Sequence, residues 1–302
     1  MKRNQIDRKG AGIIRPVQRS IALTALFVLC IASLVLNAGT TVAEERDFSA
    51  GALIIPMDQT WQSGVDGGIL EAYGLVYYLL EADVTLYWAI GVNKAAIDEI
   101  DLTISDSTTS PVARKYDHNG GLEDLAGVTN TISYAGAPFL IDEEDAATAK
   151  TCIDESGWSA VEVHQSLVPF ASNIYRELDG APPTLALMNN KEDLVAGNVE
   201  ILESYLRLAG ICGNCYEVIT PNMIRDGYLD TDPVKLLWAP HWTGYDNYNV
   251  DADGDGELDV ETIVKKVAAF LDRGGALFAE CASIEVFEHS LNGRFLSTND
   301  FG

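Results

Sequence analysis

The sequence predicts an α/β protein in which a mostly parallel sheet is flanked by helices. Short, almost wholly apolar segments alternate with longer segments whose apolar residues recur every three or four positions. The first pattern is typical of strands buried on both faces, and the second of amphipathic helices. Apolar residues make up 47% of the 302 residues, which is enough for a core and too many for a disordered chain. Strands that alternate with helices favour a parallel sheet covered on both faces.

Residues 1–43 have the three parts of an export signal. Six basic residues lie within the first 19 positions, an apolar run follows over residues 21–36, and Thr41-Val42-Ala43 offers a small-x-small cleavage site. The run has 16 residues, fewer than the roughly 20 that span a bilayer as a helix. We therefore expect a cleaved signal peptide, a periplasmic or extracellular mature chain and no stable membrane span. An uncleaved anchor is the open alternative.

The chain is strongly acidic. It has 20 Lys and Arg against 45 Asp and Glu, a net charge of −25, and removal of residues 1–43 takes that charge to −30. Such a surface repels phosphate backbones, so nucleic acid is excluded as a partner. A solvated acidic face explains the charge without a specific partner, and the identity of any ligand or protein partner stays open.

Residues 44–180 are predicted to form an N-terminal α/β unit. Apolar runs predict its strands at 52–57, 85–90, 136–141 and 160–166, and the periodic segments predict its helices at 69–80 and 143–154. The stretch 101–131 is polar and irregular, and no element is predicted there.

Residues 181–302 are predicted to form a second α/β unit. Its strands are predicted at 184–190, 216–220, 235–241 and 276–281, and its helices at 198–210 and 260–274. ILEAY at 69–73 and ILESY at 201–205 occupy the same place in each unit, so duplicated β-α-β units are a further expectation. Residues 297–302 show no closing element, and we expect this unit to be incomplete at its C-terminus.

Cys281 is the strongest candidate for a catalytic residue. It follows the apolar run of 276–280, small residues flank it, and a helical pattern resumes at once. A strand, a tight turn and a helix are the parts of a nucleophile elbow, and a helix N-terminus stabilises a thiolate. A buried structural cysteine in a tight turn is the open alternative.

The stretch from LLWAPHW, at 236–242, to FAECAS, at 278–283, resembles the class I glutamine amidotransferase-like superfamily. The resemblance implies a flavodoxin-like fold with Cys281 at the nucleophile position and residues 239–242 at the position of the oxyanion loop. The superfamily usually has a glycine where Ser283 stands, and its catalytic histidine lies further downstream. Within this sequence His241 is the better local partner for Cys281. The backbone amides of residues 282 and 283 are the predicted oxyanion donors.

Residues 251–259 match a calcium-binding loop of the EF-hand type. Carboxylates stand at loop positions 1, 3 and 5, a glycine at position 6, an apolar residue at position 8 and a carboxylate at position 9. Position 12 is Thr262 instead of the usual glutamate. We therefore predict a calcium site, with a solvated turn as the alternative. The predicted ligands are Asp251, Asp253, Asp255, Glu257, Asp259 and Glu261.

Cys212 and Cys215 form a C-x-x-C pair and are the candidate disulfide of an exported chain. Tyr216 follows the pair instead of the histidine that haem attachment requires, so covalent haem is excluded. Cys152 is an alternative disulfide partner. No nucleotide-binding motif is evident. His164, at the end of a predicted strand, is expected to be a hydrogen-bonded structural residue.

Two functions are compatible with these patterns. The sequence favours a non-catalytic or ligand-binding, glutamine amidotransferase-like domain with a calcium-binding loop. The alternative is a cysteine-dependent hydrolase of amides or esters that uses Cys281. A histidine within hydrogen-bonding distance of Cys281 would favour the hydrolase.

Overall fold

The structure is a computed structural model that describes residues 44–62, 69–92, 94–96, 98–118, 120–155, 160–191, 199–231, 234–244 and 248–288. The predicted signal peptide, residues 1–43, lies outside these ranges, as do residues 289–302. Within the described ranges the chain forms an eight-stranded sheet, a four-stranded sheet and a two-stranded ribbon. No helix in them has both the length and the apolar character needed to cross a bilayer.

The larger sheet is built from residues 44–178. Its strands are β1 (Glu44–Phe48), β2 (Leu53–Ile55), β3 (Leu86–Ala89), β5 (Ala113–Asp117), β6 (Gly121–Asp124), β8 (Phe139–Ile141), β9 (His164–Ser166) and β10 (Phe170–Leu178). Their order across the sheet is β1-β10-β3-β8-β2-β9-β5-β6. The two-stranded ribbon pairs β4 (Ile100–Ser105) with β7 (Thr131–Ala135). Two helices belong to this part, α1 (Ile69–Glu81) and α2 (Glu143–Glu155).

The prediction of a mostly parallel sheet is wrong, because every strand pair of this eight-stranded sheet is antiparallel. The units β2-α1-β3 and β8-α2-β9 each cross over a helix, as predicted from their sequences. Each crossover leaves a gap of one strand, which β8 fills in the first unit and β2 in the second. In this split β-α-β arrangement the two strands of each unit run parallel to each other, and the strand between them is antiparallel to both.

Burial on both faces explains why these strands have nearly continuous apolar sequences. Leu53 and Ile55 of β2 pack with the two helices on one face. Ile54 points to the other face and packs with Ile104 and Tyr134 of the two-stranded ribbon. An apolar run indicates that both faces of a strand are covered. Here helices cover one face of the larger sheet, and the two-stranded ribbon covers the other.

The stretch 101–131, for which no element was predicted, contains most of β4 and all of β5 and β6. In β4 the buried side chains include Leu102 and Ile104, while Thr103 and Ser105 are exposed. This near-alternation is the pattern of a strand with one wet face. The polar residues of the exposed face lower the mean apolar content and hide the strands from a search for apolar runs.

The smaller sheet is wholly parallel and carries the candidate site. Its strands are β11 (Leu185–Met188), β12 (Tyr216–Ile219), β13 (Leu236–Ala239) and β14 (Ala276–Ala279), in the order β12-β11-β13-β14. The helices of this part are α3 (Val199–Leu208), α4 (Pro221–Arg225), α5 (Tyr228–Thr231), α6 (Asp259–Asp272) and α7 (Ala282–Glu288). The flavodoxin-like description therefore fails, and among the described strands parallel pairing is confined to residues 185–279.

The expectation of duplicated β-α-β units is also wrong at the level of pairing. β11 and β12 are adjacent and parallel, whereas β2 and β3 are separated by β8. The shared ILEAY and ILESY segments therefore mark two amphipathic helices on different sheets.

Candidate active site

The carboxyl edge of the parallel sheet contains a topological switch point. From β11 the chain turns to β12 on one side, and it later returns to β13 on the other side. In open α/β sheets such a point leaves a crevice beyond the strand ends where ligands bind. A cavity of about 690 Å³ lies here, lined by Asn190, Lys191, Asn222, Arg225, His241, Thr243, Tyr248, Val250, Ala252 and Asp259.

Cys281 occupies the turn between β14 and α7. Its φ of 55° lies in the left-handed region, where a residue with a side chain is uncommon. The side chain is exposed and its thiol is free. This strained strand-to-helix turn has the geometry of a nucleophile elbow.

His241 lies beside the thiol, with Nδ1 3.1 Å from the Sγ of Cys281. The register of the sheet explains the contact. Ala239 of β13 is paired with Ala279 of β14, and His241 and Cys281 each follow two residues later at the same edge. Two adjacent parallel strands thus bring an imidazole and a thiol from 40 positions apart in the chain into hydrogen-bonding distance.

Ser283 fastens the elbow to the neighbouring strand. Its side chain is fully buried, and its Oγ lies 3.0 Å from the carbonyl oxygen of Ala239 and 2.7 Å from that of Glu280. The same Oγ accepts a hydrogen bond from the Glu280 amide at 3.0 Å. The Ser283 hydroxyl therefore joins the turn to β13, which a glycine at this position could not do. The Ser283 amide donates to the Glu280 carbonyl at 3.2 Å, which leaves Ala282 as the freer of the two predicted oxyanion donors.

A buried ion pair forms one wall of the cavity. Arg225 Nη1 donates to Oδ2 of Asp259 at 2.9 Å, and the side chains are 14% and 4% exposed. Arg225 Nε donates to Asp226 at 2.9 Å. These hydrogen bonds, that to Asp226 first and that to Asp259 second, raise the pKa of Arg225 above its usual value. The guanidinium is consequently charged and held from two sides.

The predicted calcium loop brings together three of its six predicted ligands. The carboxylates of Asp251, Asp253 and Asp255 offer oxygens within 4.8 Å of one another, and all three residues are exposed. Backbone amides of Gly254 and Gly256 donate to the two oxygens of Asp251 at 2.7 and 3.0 Å. These hydrogen bonds hold the Asp251 carboxylate over the tight turn of residues 251–256.

The other three predicted ligands do not join this cluster. Glu257 accepts from Lys265 at 2.6 Å, and Asp259 is paired with Arg225. Glu261 lies in the first turn of α6 and is outside the group of converging carboxylates. The sequence spacing therefore overestimates the ligand set, because Lys265 and Arg225 pair with Glu257 and Asp259, and the helix α6 already begins at Asp259.

The base of the acidic loop is also a wall of the cavity. The Asp259 amide donates to the carbonyl of Val250 at 2.7 Å, and the Ala252 amide donates to Oδ1 of Asp259 at 3.2 Å. Val250 and Ala252 both line the cavity. Asp259 therefore closes the loop and holds Arg225 at the same time.

Cys212 and Cys215 are joined in a disulfide, with an S–S distance of 2.05 Å. Within the described part of the chain, Cys152 and Cys281 are the free cysteines. The disulfide lies in the turn between α3 and β12, before the amino end of β12, whereas the cavity lies beyond the carboxyl ends of the strands.

His164 is a buried structural residue, as expected. Its Nε2 lies 2.8 Å from the Glu162 carboxylate, and its Nδ1 lies 2.9 Å from the Tyr134 hydroxyl, so both ring nitrogens have a partner. Burial lowers the pKa of His164 and raises that of Tyr134. The sequence suggested neither partner, although Glu162 two residues away on the same strand face was a usable signal.

Several residues that line the cavity were not predicted as site residues from the sequence. Asn190 and Lys191 follow β11 directly, so their place at the carboxyl edge of a parallel sheet was a usable signal. Asn222 and Arg225 lie on α4, and no local pattern distinguishes them from ordinary helix residues. Only the fold brings them to the cavity.

Comparison of the chain with protein-family models, curated proteins and solved structures finds no match. The resemblance to the glutamine amidotransferase-like superfamily therefore remains a prediction from residues 236–283.

Proposed function

We propose that the chain is an exported, cysteine-dependent hydrolase of amides or esters. The observation that carries the proposal is the 3.1 Å separation of Cys281 Sγ and His241 Nδ1 at the mouth of a switch-point cavity. The sequence alone favours a non-catalytic domain. The histidine contact, the exposed thiol and the left-handed turn together favour the catalytic alternative.

The proposed chemistry follows from these positions. His241 Nδ1 accepts the thiol proton while Sγ attacks the substrate carbonyl, and the carbonyl oxygen takes up the negative charge. The Ala282 amide, the freer of the two predicted donors, stabilises that oxyanion. The His241 imidazolium then protonates the leaving amine or alcohol, which leaves a thioester on Cys281. Water, deprotonated by His241, attacks the thioester carbonyl, the C–S bond breaks, and the acyl group leaves as a carboxylic acid. The proton on His241 returns to Sγ and restores the free thiol.

The test uses 4-nitrophenyl acetate as an acyl donor. The wild-type protein is expected to release a stoichiometric burst of nitrophenolate and to carry one acetyl group on the peptide that contains Cys281. Cys281→Ser should abolish the burst, and His241→Gln should slow it by a factor of about 10² to 10⁴, the usual contribution of a general base.

Cys152→Ser is the matched control, because Cys152 is the other free cysteine of the described residues. It should leave the burst unchanged. Acetylation that survives in Cys281→Ser, or a burst rate in His241→Gln equal to that of the wild type, would contradict the proposal.

We propose, as a second property, that the loop of residues 251–257 binds calcium. The convergence of Asp251, Asp253 and Asp255 supports this, since Ca²⁺ prefers carboxylate oxygens and completes its six to eight ligands with backbone carbonyls and water. Calorimetric titration should give a dissociation constant of about 10⁻⁴ to 10⁻³ M. Asp253→Asn should weaken binding, while Glu261→Gln, outside the cluster, should not. No binding heat at millimolar calcium would refute the site.

A further inference from the structure

The cavity differs in charge from the rest of the molecule. The chain carries 45 acidic against 20 basic residues, yet two cations, Lys191 and Arg225, line this cavity beside a single carboxylate, that of Asp259. That carboxylate already accepts hydrogen bonds from Arg225 and from the Ala252 amide. Asp259 and Asp226 together offset the charge of Arg225, so Lys191 is the cation of this lining that no carboxylate of the described residues pairs with.

Arg225 is held in a way that leaves donors for a ligand. Its Nε and Nη1 are fixed by Asp226 and Asp259. Its Nη2 has no hydrogen-bond partner among the residues that the structure describes. An arginine fixed from behind by carboxylates is pre-organised, so little side-chain entropy is lost when it binds an anionic oxygen group.

Lys191 supplies the second cation. It lies just beyond the carboxyl end of β11, is exposed, and forms no ion pair with the described part of the chain. The amide side chains of Asn190 and Asn222 lie on the same lining, whereas Tyr248, Val250 and Ala252 supply apolar surface. This lining suits a small molecule that combines an anionic group with a short carbon chain.

His241 connects this cavity to the thiol. It lines the cavity and contacts Cys281. We infer that the cavity selects acyl substrates that carry an anionic oxygen group, a carboxylate or a phosphate, which Arg225 and Lys191 bind while the acyl carbon is presented to Cys281. This inference rests on the proposed hydrolase function and assigns Arg225 and Lys191 as specificity-determining residues.

The kinetic test compares two acyl donors of similar size. 4-Nitrophenyl hydrogen succinate carries a carboxylate, and 4-nitrophenyl pentanoate does not. Wild-type protein should acylate Cys281 faster with the succinate ester. Lys191→Met should lower that rate about tenfold, the loss of one charge-assisted hydrogen bond, and should change the pentanoate rate much less.

Lys235→Met is the matched control. Lys235 is also exposed, and it precedes β13, at the opposite edge of the same sheet. The variant removes the same charge from the protein and should change neither rate. Equal losses in both lysine variants would mean that net charge alone steers the ester, and the inference would fail.

A binding test keeps the inference separate from the proposed chemistry. Cys281→Ser protein is titrated calorimetrically with succinate, with inorganic phosphate and with neutral succinamide. Binding of either anion, weakened about tenfold by Lys191→Met, supports the anion site even if Cys281 proves unreactive, and the tighter anion identifies the group. Failure of both anions to bind, with acylation of Cys281 at equal rates by the two esters, would overturn the anion site and leave the hydrolase intact.

Discussion

Gly74 of α1 lies directly against the backbone of Ala209, just beyond α3. A Cβ placed on Gly74 would stand 1.5 Å from the carbonyl oxygen of Ala209 and 2.7 Å from its carbonyl carbon. The helix that covers the antiparallel sheet thus meets the end of the helix that covers the parallel sheet, backbone to backbone. A side chain of any size would separate the two.

This contact predicts that Gly74→Ala destabilises the protein. Alanine in a helix interior is favoured over glycine by about 1 kcal/mol, but forced overpacking costs about 1–3 kcal/mol or more, and the predicted overlap with Ala209 is severe. We expect a net loss of about 2 kcal/mol in the free energy of urea unfolding, the upper end of that range less the helix gain. Gly180→Ala, where an added Cβ meets no atom within 4 Å, should change stability little. An unchanged midpoint in Gly74→Ala would disprove the close approach.

We expect disruption of the ion pair between Arg225 and Asp259 to lower the free energy of unfolding more than disruption of an exposed ion pair does. Asp259→Asn leaves Arg225 partly uncompensated in a site where both side chains are nearly buried, and we expect a loss of about 3 kcal/mol. Glu257→Gln breaks the pair with Lys265, whose side chains are 44% and 41% exposed, and should cost no more than about 1 kcal/mol. Chemical denaturation of both variants checks the order. Equal losses would contradict it.

His164 predicts a pH dependence of stability. Burial lowers its pKa in the folded state from the usual 6.5, so below that pH the unfolded chain binds more protons than the folded one. Stability is then complete above about pH 6.5 and falls as the pH drops from there toward the lowered pKa of His164. His164→Gln should remove the slope in this window, although it lowers stability overall. Denaturation midpoints measured between pH 7.5 and about 5 test this, and a slope that persists in the variant would assign it to other groups.

Ser283 predicts coupled losses of stability and reactivity. Ser283→Ala removes the hydroxyl that binds the carbonyls of Ala239 and Glu280, at a cost of about 1–2 kcal/mol for a buried hydrogen bond. Because Ala239 leads to His241, we expect acetylation of Cys281 by 4-nitrophenyl acetate to slow by about tenfold or more. Ser204→Ala, which removes an exposed hydroxyl on α3, should alter neither quantity. A destabilised variant with unchanged acetylation would restrict Ser283 to a structural role.

Local patterns determined the amphipathic helices and the strands with apolar runs, but not the polar strands β4, β5 and β6. The amphipathic repeat of 69–80 predicted α1, and the apolar runs around Ile54 and Leu237 predicted β2 and β13. These signals are readable because side-chain periodicity depends on the geometry of one segment alone. The same is true of the tight strand-to-helix turn at Cys281 and of the carboxylate spacing at 251–255, which needs only a short loop.

Tertiary structure decided what each segment meets. No local pattern predicts that β2 pairs with β8, which begins 84 residues after β2 ends, instead of with β3. This pairing makes the larger sheet antiparallel. No local pattern predicts that the Asp259 carboxylate pairs with Arg225 instead of serving as a calcium ligand. The sequence placed His241 and Cys281 at two strand ends, but their 3.1 Å separation depends on the register of Ala239 with Ala279. Strand partner and register arise from the packing of distant segments, so only the folded chain specifies them.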